Sequence, residues 1–191
     1  YNSWKIHGII NGIDSDLNDP AKDPLIAYNY DLESIHLKVK NKTALQEKLG
    51  LTVDEHIPLV GMVTRLTDQK GISLVTNGIH DMMKRKVQLV VLGTGDEGYE
   101  YALREIARMY PDRISAIIDF NLSLAQNIYA GSDLFLMPSA FEPCGLSQMM
   151  AFCYGSIPLV HETGGLKDTV IPYNPITNEG TGFSFYDFKA E

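Results

Sequence analysis

Five polar stretches of this chain carry the residue types that chemistry needs. In Thr64-Arg65-Leu66-Thr67-Asp68-Gln69-Lys70-Gly71 a guanidinium and an ammonium stand on one segment. That pair suits a diphosphate, since arginine's planar fork takes two phosphate oxygens at once and lysine adds a mobile point charge. A solvated loop with two ordinary charges fits the spacing equally well. Gly93-Thr94-Gly95-Asp96-Glu97-Gly98 matches the G-x-G-x-x-G pattern of dinucleotide-binding turns. Asp96 and Glu97, however, would set carboxylates where a helix N-terminus should meet a pyrophosphate, which favours a tight turn with an acidic helix start. In Asp119-Phe120-Asn121, Phe120 offers a flat face to a base, although a buried core aromatic is the commoner use of such a residue.

The densest stretch is Pro138-Ser139-Ala140-Phe141-Glu142-Pro143-Cys144-Gly145-Leu146-Ser147-Gln148. Proline and glycine shape a turn into a helix expected from Gly145 to Tyr154. Free amides near Cys144, Gly145 and Leu146 could bind sugar hydroxyls or phosphate oxygens. Glu142 could accept hydroxyl protons from a sugar, or simply face the helix dipole. Cys144 reads as a small turn residue or as a thiolate, with no partner histidine assignable. The fifth stretch, His161-Glu162-Thr163-Gly164-Gly165-Leu166-Lys167-Asp168, pairs two glycines that let backbone approach a ligand closely.

These stretches must be held by regular elements, and the apolar pattern supplies them. Short apolar runs lie at 59–63, 87–92, 114–118, 134–137, 157–160 and 182–185. Helical spacing covers 38–49, 72–83, 99–109, 124–130, 145–154 and 165–170. Strands that are apolar throughout, and not alternating, belong to a parallel sheet buried on both faces. Alternation with helices gives right-handed crossovers and a doubly wound, mainly parallel, Rossmann-like α/β sheet. Ligands bind such sheets at the carboxyl ends of the strands, where all five polar stretches fall.

Composition narrows the partners. With 16 basic against 24 acidic residues the net charge is −8, which argues against a general nucleic-acid binder. Two cysteines and five scattered histidines make neither a disulfide scaffold nor a metal cluster, so no metal is expected. No apolar run approaches about 18 residues, so no membrane span is expected. Tyr1 is not a natural start and the chain stops after Lys189-Ala190-Glu191, so it reads as a piece of a longer protein.

Four segments, in order, are similar to the C-terminal lobe of the bacterial glycogen synthase and plant starch synthase family. They are His7-Gly8-Ile9-Ile10-Asn11-Gly12-Ile13-Asp14, the Thr64–Gly71 stretch, the Pro138–Gln148 stretch with its Glu-Pro-Cys-Gly-Leu run, and Thr163-Gly164-Gly165-Leu166-Lys167-Asp168-Thr169-Val170. The resemblance implies a retaining GT-B glucosyltransferase, in which two Rossmann-like lobes face each other across a cleft. Residues 1–50 would be the interlobe connection and lead-in, and 51–191 the nucleotide-sugar-binding domain. It implies transfer of glucose from ADP-glucose or UDP-glucose to the 4-hydroxyl at the non-reducing end of an α-1,4-glucan, with retention.

By the same resemblance Arg65 and Lys70 hold the donor phosphates and Glu142 contacts the glucose. Cys144, Gly145, Leu146, Thr163, Gly164 and Gly165 would help to place sugar and phosphate, Phe120 would stack on the base, and Asn11 would lie near the cleft. The nucleotide sugar is the only small molecule implied, with no cofactor and no metal. The glucan acceptor would be held by an N-terminal lobe absent from this chain, so the piece alone would be inactive. The location implied is the cytoplasm, or a plastid in a plant. One departure stands out: many retaining GT-B enzymes carry a second glutamate eight residues after the first, and here Met150 holds that place. Alternatives are another retaining GT-B transferase such as a sucrose synthase or trehalose-forming enzyme, a NAD-dependent oxidoreductase resting on Gly93, Gly95 and Gly98, or a carbohydrate-binding module. The buried-strand pattern speaks against the last.

Overall fold

The computed structural model describes Lys5 and residues 8–190. His7, in the first of the four family-like segments, lies outside the described residues. The elements run α1 (Lys38–Lys48), β1 (Leu59–Val63), α2 (Ile72–Met82), β2 (Gln88–Leu92), α3 (Glu97–Met109), β3 (Ile114–Ile117), α4 (Leu122–Gly131), β4 (Leu134–Met137), α5 (Ser147–Cys153), β5 (Ile157–His161), α6 (Gly164–Thr169) and β6 (Phe183–Phe185). The strands form one sheet in the order β3-β2-β1-β4-β5-β6, every pair parallel. The order reverses between β1 and β4, and there loops leave the sheet in opposite directions and open a crevice.

Period-two side-chain direction divides the apolar residues between two layers. Leu59, Val90, Leu92, Phe135 and Val160 pack on one face with residues of α1, α4 and α5. Val60, Met62, Leu89, Val91 and Ile114 pack on the other with α2 and α3. The lead-in joins the first layer through Ile26, Tyr30 and Leu45. Tyr30 donates from its hydroxyl to the Tyr154 carbonyl (2.8 Å), and Tyr154 donates to Asp23 Oδ2 (2.6 Å). Lys38 caps the end of α4, its ammonium donating to the carbonyls of Ala130 (2.7 Å) and Tyr129 (3.4 Å). Burial pushes that ammonium down to a pKa of about 7.

Several expected boundaries shift, the helix expected from Leu124 starting at Leu122. The helix expected from Gly145 starts at Ser147, because Gly145 takes φ +75°, a left-handed conformation that no helix admits. The helix expected from Tyr99 starts two residues earlier, at Glu97.

Candidate functional site

The loop after β1 and the loop after β4 are bound together at the carboxyl edge of the sheet. Gly71 has φ +73°, and a Cβ there would lie 2.0 Å from the carbonyl oxygen of Pro138, so the loops approach as closely as backbone allows. Ala140 N–H donates to the Gln69 carbonyl (2.9 Å), and Gln69 Nε2 donates to the Phe141 carbonyl (3.1 Å). The turn Asp68–Lys70 is also held from α3, where Tyr99 donates its hydroxyl to Asp68. That acid raises the tyrosine's pKa.

Through this contact Lys70 forms an ion pair with Glu142. Both side chains are mostly shielded, at 15% and 10% exposure. Ser139 donates its hydroxyl to the same carboxylate oxygen (3.3 Å). An ammonium has three donors, so Lys70 can hold Glu142 and still offer protons to an anion.

The loop after β5 closes the arrangement. Gly165 N–H donates to the Glu142 carbonyl (3.0 Å). Gly164 has φ +43°, and a Cβ there would lie 2.1 Å from that same carbonyl oxygen. At Gly165 a Cβ would meet Cys144 backbone at 2.2 Å. The paired glycines therefore bring this loop under the Glu142 turn. Thr163 stands at the N-cap of α6. Gln148 Nε2 locks the turn by donating to the carbonyls of Cys144 (3.1 Å) and Gly145 (3.2 Å). The amides of Gly145, Leu146 and Ser147 have no acceptor among the described residues. Asn11 reaches the same place, its N–H donating to Cys144 Sγ (3.3 Å).

Arg65 and Phe120 lie in a neighbouring cleft of about 630 Å³ at the carboxyl ends of β1, β2 and β3. Arg65 is exposed and has no ion-pair partner among the described residues. Phe120 is 81% exposed, which overturns its reading as a core aromatic. Val63, Tyr129 and Met150 give the cleft an apolar wall. Met150, where a second glutamate would stand in many relatives, thus belongs to packing.

The first two glycines of the G-x-G-x-x-G stretch pack against backbone of the Thr64–Gly71 loop. A Cβ on Gly93 would lie 1.8 Å from the Thr64 carbonyl oxygen, and one on Gly95 2.2 Å from that of Leu66. Leu66 and Gly95 form a parallel bridge, and Asp96 N–H donates to the Leu66 carbonyl (2.8 Å). These glycines let the first loop lie flat across the second and so aim the Arg65–Lys70 segment. A Cβ on Gly98 would meet nothing within 4 Å outside its own helix.

The structure thus brings Lys70, Glu142, Cys144, Gly145, Leu146, Thr163, Gly164, Gly165 and Asn11 to one place, with Arg65 and Phe120 in the adjoining cleft. Sequence reasoning gave no role to Ser139 or Gln148. A serine and a glutamine in a polar loop carry no signal until the carboxylate and carbonyls beside them are located. Among the described residues no three His, Cys, Asp or Glu side chains converge as a metal site would require. Both cysteines are free, and burial raises the Cys153 thiol. No helix among the described residues is long and apolar enough to cross a membrane.

The family model for glycosyl transferases group 1 matches residues 42–191. A glycogen synthase of Streptococcus mutans is 58% identical over 188 residues, covering 98% of this chain and 40% of that protein. A glycogen synthase of Streptococcus sanguinis is 55% identical over the same length, again covering 40% of that protein. Among solved structures, the catalytic domain of starch synthase IV from Arabidopsis thaliana, bound to ADP and acarbose, superposes with a TM-score of 0.89 at 37% identity. That match covers 98% of this chain and 39% of the other. The chain therefore spans about 40% of the length of the curated relatives it matches.

Proposed function

Because the chain belongs to the glycosyl transferases group 1 family, we propose that it is the donor-binding lobe of a glycogen synthase. The full-length protein would move glucose from ADP-glucose or UDP-glucose to the 4-hydroxyl at the non-reducing end of an α-1,4-glucan, with retention. One observation carries the reading. A shielded Lys70–Glu142 pair shares one sheet edge with amides at 145–147, beside a cleft holding Arg65 and an exposed aromatic ring, and neither those amides nor that arginine has a partner among the described residues.

As the nucleoside diphosphate leaves, negative charge grows on its distal phosphate. Lys70 and Arg65 are placed to meet that charge, and preorganised cations act most strongly where charge develops. Glu142, held by Lys70 and Ser139, accepts hydrogen bonds from glucose hydroxyls. The turn Cys144–Leu146 and Gly164 supply amides, Thr163 and Gly165 hold that loop against the turn, Phe120 stacks on the base, and Asn11 borders the sugar. The nucleotide sugar is the donor substrate, with no cofactor and no metal, the side-chain cations serving in place of an ion. The glucan acceptor is held by an N-terminal lobe, so this lobe alone does not turn over. Neither nucleic acid nor membrane is a partner, and the location is the cytoplasm.

The test is titration of the full-length protein with ADP-glucose and UDP-glucose, alongside turnover of Arg65→Ala. Turnover should fall on the order of 10²-fold or more, the cost of losing one such donor. Near-normal turnover overturns the assigned role. Protection by ADP but not by NAD separates this reading from an oxidoreductase.

A further inference from the structure

At the end of β5 the ring of His161 faces two backbone carbonyls. Nδ1 lies 2.8 Å from the oxygen of Ser139, and Nε2 lies 3.1 Å from that of Tyr186. Both carbonyls need a proton donor, and neither receives another hydrogen bond among the described residues. A neutral imidazole has one N–H and an imidazolium has two. Only the charged ring therefore satisfies both partners.

The two partners differ in what they can do without it. Ser139 is 2% exposed, and its hydroxyl donates to Glu142. Tyr186 is 77% exposed, so water can replace the imidazole at its carbonyl. It begins the strap Tyr186–Ala190, which leaves β6 for α2, where the Ala190 oxygen lies 3.4 Å from the place of a Cβ on Gly78. Phe185 and Phe188 hold the ring, with centroids 5.5 and 5.2 Å away. The charged or titratable groups on the surrounding elements are Glu142, paired with Lys70, and Glu162, which accepts from Ser184 (2.7 Å). Beside them stand the Tyr186 hydroxyl, Asp187 and Lys189 of the strap.

We propose that His161 is a positioning residue for Glu142, acting through Ser139, and that its charged form fastens the strap 186–190 to the donor-site loop. A neutral ring keeps the buried Ser139 carbonyl and releases Tyr186. A charged ring holds both and ties the end of β6 to the turn that carries Glu142. Only the kinetic part of this proposal rests on the donor-lobe reading.

The experiment uses the full-length protein as wild type, His161→Arg and His161→Phe. Arginine offers two donors at every pH, whereas phenylalanine keeps an aromatic ring against Phe185 and Phe188 but has no donor. Hydrogen exchange of segments 137–142 and 186–190 is measured at about pH 5.5 and about pH 8, either side of the range in which imidazole changes charge, after correction for intrinsic exchange. Wild-type strap amides should be protected at the lower pH and exchange faster at the higher. His161→Arg should be protected at both, and His161→Phe at neither. His161→Phe should also lose roughly tenfold in kcat with a smaller change in donor KM, because a buried carbonyl at the Glu142 turn is left without a donor. His161→Arg should restore most of that loss. Equal strap protection of the wild type at both pH values overturns the fastening. Unchanged kcat in His161→Phe, or failure of arginine to restore it, overturns the positioning role. If even the wild type transfers no glucose, the donor-lobe reading falls while the exchange measurement still decides the clamp.

Discussion

Replacing Lys70 by alanine should damage stability and turnover separately, and the two losses should come apart in a double mutant. Removal of the ammonium leaves Glu142 as a shielded carboxylate with, among the described residues, only the Ser139 hydroxyl at 3.3 Å. Breaking a fully buried pair costs about 3–5 kcal/mol. Residual exposure of 15% and 10% on the two side chains points to the lower end, about 3 kcal/mol. For a chain of this size each kcal/mol moves Tm by about 2–4 °C, so a fall of roughly 6–12 °C is expected. Glu142→Gln on top of Lys70→Ala removes the stranded charge, and stability should return to within about 1–2 kcal/mol of wild type. Turnover should not return, because the cation that meets the leaving diphosphate is still missing, and kcat should stay down on the order of 10²-fold or more. Urea unfolding of the 191-residue chain and kcat of the full-length protein read the two effects. A stability loss below about 1 kcal/mol in Lys70→Ala, or recovery of turnover in the double mutant, refutes the reasoning.

Phe120→Ala should leave urea stability within about 0.5 kcal/mol, since the ring is exposed, yet raise donor KM several-fold through lost stacking; an unchanged KM removes Phe120 from the site. Gly98→Ala should be neutral or stabilising by up to about 1 kcal/mol, as expected inside a helix with open space around it. Gly164→Ala should destabilise and lower kcat, because its Cβ would strike the Glu142 carbonyl, and equal behaviour of the two in thermal unfolding contradicts the loop-packing account. Lys38, its folded pKa held down to about 7 by burial, binds more proton unfolded than folded above that pH. Its contribution to unfolding free energy should therefore rise with pH from about 7 towards the ordinary lysine range, with a slope no steeper than about 1.4 kcal/mol per pH unit. Urea titrations of wild type and Lys38→Met at pH 7 and pH 9 check this, and a difference that does not change between them contradicts it.

The order of strands and helices, the parallel sheet and the placement of polar loops at its carboxyl edge were all legible in the residues. These properties are local. An apolar run as short as Leu59–Val63, with no alternation, fits a strand covered on both faces, and helical spacing after it fits the crossover. The family-like segments likewise pointed to Arg65, Lys70, Glu142 and the two glycine-bearing loops before any contact was known. What tertiary structure decided is which of these side chains meet. Lys70 and Glu142 are 72 positions apart, and their pairing depends on how closely Gly71 lets one loop lie on the next. Phe120 reads as core by residue type and is exposed by position. Gly93 and Gly95 match a phosphate-turn pattern but read as a tight turn, and only the fold shows which backbone they let cross. The helix after Glu142 begins two residues late because the turn needs Gly145 in a left-handed conformation. The two carbonyls at His161 come from loops separated in sequence and joined only by packing. Periodicity reports what each stretch of chain can become, whereas contact depends on the distances between stretches, and those exist only once the sheet has assembled.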